Sequence, residues 1–149
     1  MKTVSAILVP ADIKQPMRVV ELEVKHFNET EWSCLAAMYP LIGGGCSCVE
    51  RVVLAEDDEA AVDDPHWIIG WVDEEGLCKP DTPKNERASA LYGAPLYGNM
   101  IVCGDTGYNT VSLSKATLDT VAELDKETIR TVEAQWGVFV LQPGDRIIG

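Results

Sequence analysis

Between Met17 and Lys25 the chain alternates with a period of two: Val20, Leu22 and Val24 are apolar, while Glu21, Glu23 and Lys25 are charged. Successive side chains of an extended strand point to opposite faces, so this run reads as a strand with one face on a core and one in water. Just upstream, Thr3 to Val9 is a β-branched apolar run closed by Pro10, a first strand. The stretch from Ala11 to Pro16 suits a hairpin loop between the two.

The next boundary carries a helix signal. Asn28 can cap, Glu31 three residues on can complete a capping box, and Phe27 can staple onto Trp32. A helix is therefore expected from about Glu29 to Tyr39, with Trp32, Leu35, Ala36 and Tyr39 on one face and Pro40 ending it. Gly43, Gly44 and Gly45 make a turn, and Cys46 to Ala55 reads as a third strand. Trp67 to Val72 reads as a fourth, ended by Asp73-Glu74-Glu75-Gly76. A short helix follows from Asn85 to Tyr92, with Asn85 as N-cap and Gly93 just past the end. Met100 to Cys103 returns to strand, Thr110 to Leu113 is a short strand, and Ser114 caps a further helix. A second helical segment is expected over Lys126 to Ala134, and a last strand over Gly137 to Leu141.

Strand pairs and helices alternate irregularly here, not as βαβ units. The expected fold is therefore α+β: a mixed, mostly antiparallel sheet of about five strands with two or three helices mainly on one side. No repeat or linker divides the 149 residues, which match one ordinary domain. With 46% apolar and 24% charged residues the chain has the makings of a packed core, so wholesale disorder is not expected.

Charge is the unusual quantity. Twenty-four acids against twelve bases give −12 at pH 7, which repels phosphate backbones and anionic membrane surfaces. Direct nucleic-acid and membrane binding are disfavoured, although carboxylates can occupy a DNA-binding partner's surface where phosphates would sit. The N-terminal apolar run is too short for a signal peptide, no stretch reaches the 18 or so apolar residues of a membrane span, and five cysteines suit free thiols in a reducing compartment. A cytoplasmic location is expected.

Three pieces in order carry a family resemblance: Val72-Asp73-Glu74-Glu75-Gly76, then Pro83-Lys84-Asn85-Glu86-Arg87-Ala88-Ser89-Ala90-Leu91, then Met100-Ile101-Val102-Cys103-Gly104 followed by Val111-Ser112-Leu113-Ser114. With them, roughly residues 3–124 resemble the bacterial and phage family called domain of unknown function 3846. Against that pattern Glu56 to Asp64 looks like an insertion and residues 125–149 like a C-terminal extension. The family's setting in phages and mobile elements implies an accessory role in a host cell. It brings no activity with it.

Few constellations carry chemistry. Cys46-Ser47-Cys48 places two thiols together, and Cys78, Cys103 or His66 could complete a zinc site, but the second paired knuckle is missing, so buried or free thiols are the expectation and no metal or cofactor is assigned. Thiol catalysis would need His26 or His66 as base, and neither lies in a known signature. No phosphate-loop, nucleophile-elbow, zincin or dinucleotide-binding pattern occurs, so no catalytic residue is named. Lys84, Asn85 and Arg87 at a helix start could hold an anion, with Tyr92, Tyr97 and Tyr108 to stack on a ring. Glu56 to Asp64 has six carboxylates and no base, an exposed loop in which Asp57, Asp58, Asp63 and Asp64 could meet a partner. Trp67 and Trp71, four apart on a strand, share a face.

The favoured expectation is a non-enzymatic phage or mobile-element protein that binds a host protein, blunting a defence system. The alternative is a binder that sequesters an anionic metabolite or nucleotide signal at Lys84, Asn85 and Arg87.

Overall fold

The computed structural model describes residues 2–26, 32–56, 65–107 and 109–119 of the chain. β1 (Thr3–Val9) and β2 (Arg18–Glu23) form the expected antiparallel hairpin, with Val4 opposite Leu22 and Ala6 opposite Val20. β5 (Val49–Glu56) and β6 (Trp67–Asp73) form a second antiparallel pair. Between these pairs lies β7 (Met100–Asp105), whose run of Met, Ile, Val and Cys suits burial on both faces. The order across the sheet is β2-β1-β7-β6-β5, and the two-residue β8 (Thr110–Val111) pairs with β7. All six strands pair antiparallel, so the α+β class and the antiparallel sheet are as read from the sequence.

Alternation along the strands builds two cores. Ile7 and Val9 of β1, Val52 of β5, Val72 of β6, and Met100 and Val102 of β7 face one side, where Ala88 of α2 (Glu86–Tyr92) and Leu96 cover them. Val4, Ala6, Leu8, Leu22, Ile101 and Cys103 face the other, where Cys34 and the Met38 and Ile42 side chains of α1 (Leu35–Ile42) cover them. Leu118, in the helical residues 115–119, joins the α2 side, so two of the three α-helical segments among the described residues share one face. Trp67 and Trp71 both lie in β6, four residues apart and so on one face, and Trp71 packs against the α1-side core. No helix among the described residues is long and apolar enough to cross a membrane.

The first helix departs from expectation. Trp32 and Ser33 are extended as β4 and pair with β3 (Lys25–His26) in a separate two-stranded ribbon, so no helix runs from Glu29 through Tyr39. Phe27, Asn28 and Glu31, the residues of the capping box, lie outside the described residues. The helix starts at Leu35, whose N–H is accepted by Ser33 Oγ at 3.1 Å. Pro40 does not end it but sits inside. Proline removes one N–H, the one that would meet the Ala36 carbonyl, and Ala36 is exposed to water. The stop comes at Gly43, with φ +69°, whose N–H reaches Tyr39 O at 2.9 Å.

β1 pairs with β7 only through Ile7, Leu8 and Val9, so the two strands splay toward the start of β1. β8 and the residues after it fill that fork: Ser5 N–H donates to Ser112 Oγ at 2.8 Å, and Leu113 N–H to Ser5 O at 3.1 Å. At the far edge, β5 slips register against β6 between Val53 and Ala55.

The sheet has little slack at its centre. A Cβ on Gly70 would lie 2.6 Å from Met100 Sδ and 3.0 Å from Val52 Cγ2, since those two side chains meet over the glycine. Gly70→Ala is expected to cost about 1–3 kcal/mol by overpacking, read from the urea midpoint. An unchanged midpoint would show that Met100 swings away at no cost.

Candidate functional site

The Lys84 to Arg87 segment was the leading ligand candidate, and its local structure follows the sequence closely. Asn85, extended at φ −95°, ψ 99°, caps α2 by accepting the Ala88 N–H at 2.9 Å. Glu86 in the first turn complements the helix dipole. Gly93, left-handed at φ +87°, closes the other end and donates its N–H to Ser89 O.

The direction of the side chains differs from expectation. Asn85 is fully buried, and its Nδ2 donates to Val9 O and Gly98 O, both at 2.9 Å. Arg87 is 2% exposed. Its Nη2 lies 2.9 Å from Pro10 O, 3.1 Å from Asp12 O and 2.5 Å from Gln15 O. Both polar groups therefore face inward, tying α2 to the end of β1, to the hairpin loop and to the approach to β7.

Lys84, by contrast, is about half exposed and 3.6 Å from Glu86, an exposed pair worth little. Tyr92 is exposed, Tyr97 is half-buried and pairs through its backbone with Lys84, and Tyr108 lies outside the described residues. Among the described residues of this group, Asn85 and Arg87 face inward while Lys84 and Tyr92 face water. What the sequence reading lacked was burial, because the acceptors are main-chain carbonyls of residues 9 to 15 and 98, which leave no mark on side-chain pattern.

A second polar cluster lies across the loops that follow β6. Lys79 Nζ is 2.6 Å from Asp73 Oδ2 and donates to Gly44 O at 3.1 Å. Burial alone would raise the Asp73 pKa, but the hydrogen bond from Lys79, the Glu75 N–H and the ammonium charge together hold it below the usual carboxylate range. The same hydrogen bond raises Lys79. Both groups are held charged, which suits a structural clasp and opposes proton transfer near neutrality. A cleft of about 430 Å³ adjoins them, walled by Gly43, Gly44, Thr82 and Asn99, and Asp81 adds a second acid to its single cation.

The five thiols are all free. Burial raises the pKa of Cys34, and that of Cys103 to about 12, even though Trp71 Nε1 donates to the Cys103 sulfur at 3.2 Å. Cys46 is raised by burial and by the Asp73 charge. Cys48 is raised by its hydrogen bond to Glu74 Oε2, at 2.7 Å. These four thiols are kept protonated, the unreactive form for a nucleophile or metal ligand. Among the described residues no three His, Cys, Asp or Glu side chains converge to hold a metal ion. The acidic positions Asp57, Asp58, Asp63 and Asp64 lie outside the described residues.

Two substitutions separate structural roles here. Asn85→Asp keeps the acceptor for Ala88 N–H but sets oxygen against the Val9 and Gly98 carbonyls, so it should destabilise by about 3 kcal/mol, measured by chemical unfolding. If capping were the whole role of Asn85, Asp would be harmless. Because folding lowers the Asp73 pKa, its stabilisation is complete above the unfolded value near 3.9 and fades as pH drops through the lower folded value. Asp73→Asn should therefore melt below the native chain at pH 7, with the gap closing as pH falls below about 4. A gap that stays constant across that range would refute the assigned role of the ion pair.

The sequence profile described as "Domain of unknown function (DUF3846)" matches residues 5–126, which takes in both polar clusters and all of the main sheet but the first two residues of β1. No curated protein and no solved structure matches the chain. The pieces quoted from the sequence now have places in space: Asp73 to Gly76 forms the turn that anchors Lys79, Asn85 to Arg87 forms the buried clasp, and Met100 to Gly104 is the central strand. On this match, which spans well over half of its length, the chain belongs to the family of domain of unknown function DUF3846.

Proposed function

We propose that this chain is a non-enzymatic accessory protein of a phage or mobile element that binds a basic surface on a host protein, with components of host defence as the favoured class of target. The observation that carries this reading is the excess of twelve negative charges on a domain of 149 residues. Such a field draws basic surfaces and repels phosphate polymers. A supporting consideration is that the polar side chains of the interior serve the fold: Asn85 and Arg87 bind main chain, and Asp73 and Lys79 bind each other. The functional surface is then the outside of the domain.

The alternative, sequestration of an anionic metabolite or nucleotide signal at Lys84, Asn85 and Arg87, loses its anchor there, since two of the three side chains face the interior.

Asp57, Asp58, Asp63 and Asp64 are the acids assigned to the partner contact. With a host partner captured and purified, replacing all four by Asn should slow association about tenfold at low salt and less at physiological salt. Folding stability should stay nearly unchanged. An association rate insensitive to both salt and the four substitutions would remove the electrostatic basis of the proposal.

A further inference from the structure

We propose that the cavity at the splayed end of the sheet, beneath the first turn of α1, binds a small organic anion with an apolar body, such as an aryl carboxylate. This proposal does not rest on the partner-binding reading, and each is tested by itself.

The cavity follows from the topology. β1 and β7 part beyond Ile7, β8 enters the fork, and α1 crosses above, leaving a space of about 540 Å³. That volume falls in the range of ligand pockets, about 300–1,000 Å³. Val4, Val24, Leu35, Met38 and Trp71 supply its apolar walls. Trp71 is half-buried and its indole N–H is engaged by Cys103, so carbon is what the ring offers to a ligand.

The polar groups of the cavity suit an anion. Ser33 Oγ accepts the Leu35 N–H at 3.1 Å and Ser112 Oγ accepts the Ser5 N–H at 2.8 Å. Each hydroxyl is held in place by a backbone donor and keeps its own proton, which has no acceptor among the described residues. Ser33 and Ser112 both line the cavity, where these hydroxyls can serve as donors. The thiol of Cys34, also in the wall, is neutral because burial raises its pKa.

Charge agrees with this. In a chain with twice as many acids as bases, no carboxylate among the described residues lines the cavity, while Lys2 does and makes no ion pair among them. Strand alternation is the reason. Lys2 shares the register of Val4 and Leu22, on the α1 side. Glu21 and Glu23 pair with Ser5 and Thr3 and stand on the other side, where Ser5 Oγ donates to Glu21 at 2.7 Å. Apolar walls select the body of the ligand, and Lys2 with the two hydroxyls selects its charge.

The test uses three probes of one shape: 2-naphthoate, the neutral 2-naphthamide and the cationic 2-naphthylmethylammonium. In calorimetry, naphthoate should bind one to one and at least about tenfold more tightly than the ammonium, with the amide between them. Amide and methyl NMR shifts should map to Val4, Leu35 and Thr110. Lys2→Gln should weaken naphthoate severalfold and leave the amide unchanged, and Leu35→Trp should abolish binding of all three by filling the space. Should Leu35→Trp not fold, Thr110→Trp fills the cavity from the opposite wall. Absence of naphthoate binding at millimolar concentration, shifts that map elsewhere, equal affinity for the ammonium, or binding that survives the filled cavity would each overturn the proposal.

Discussion

A guanidinium only 2% exposed must find fixed acceptors, or the cost of taking it from water opposes folding. Arg87 finds them in the hairpin loop that follows β1, and Asn85, two residues earlier, closes on the end of β1 and on Gly98 before β7. Removing either partner leaves the other buried and unanswered, so the contact is close to all-or-none. It gathers the first strand, the helix and the central strand at one point. The register of β1 against β7, on which the fork and both cores depend, is fixed next to it, at Val9 opposite Met100.

Much of this architecture was legible where local chemistry decides local structure. The alternation of Val20, Leu22 and Val24 gave the β1–β2 hairpin, and Asn85 with Gly93 gave both ends of α2. Reading failed where a local signal met a longer-range one. Asn28 and Glu31 spell a helix start, yet Trp32 and Ser33 have strand partners at Lys25 and His26, and the helix waits until Leu35. Pro40 spells a stop, yet the carbonyl it leaves unpaired belongs to exposed Ala36, so the chain continues helical. At the candidate site the residue types were read correctly and their orientation was not. A cation near a helix start looks the same in sequence whether it faces water or three main-chain carbonyls.

The balance of charge is equally a matter of placement. Asp73 and Lys79 use opposite signs to fasten the turn after β6 to the glycine loop after α1. The thiols beside that turn, Cys46 and Cys48, are kept protonated by burial or neighbouring carboxylates. Along β1 and β2, strand alternation sorts Glu21 and Glu23 to one side, so a strongly anionic chain still offers a recess that carries a lysine and, among the described residues, no acid.

The slipped register in β5 sets a limit on how this protein can assemble. β5 is the last strand of the sheet, bonded on one side only among the described residues, and such a rim would ordinarily template the addition of another strand. The irregularity between Val53 and Ala55 bends the strand and puts its outward amides and carbonyls out of step with a straight incoming segment. Growth by stacking strands is thereby discouraged at this rim. Contacts made along this edge then fall to side-chain chemistry, which mutation can retune one residue at a time without rebuilding the sheet.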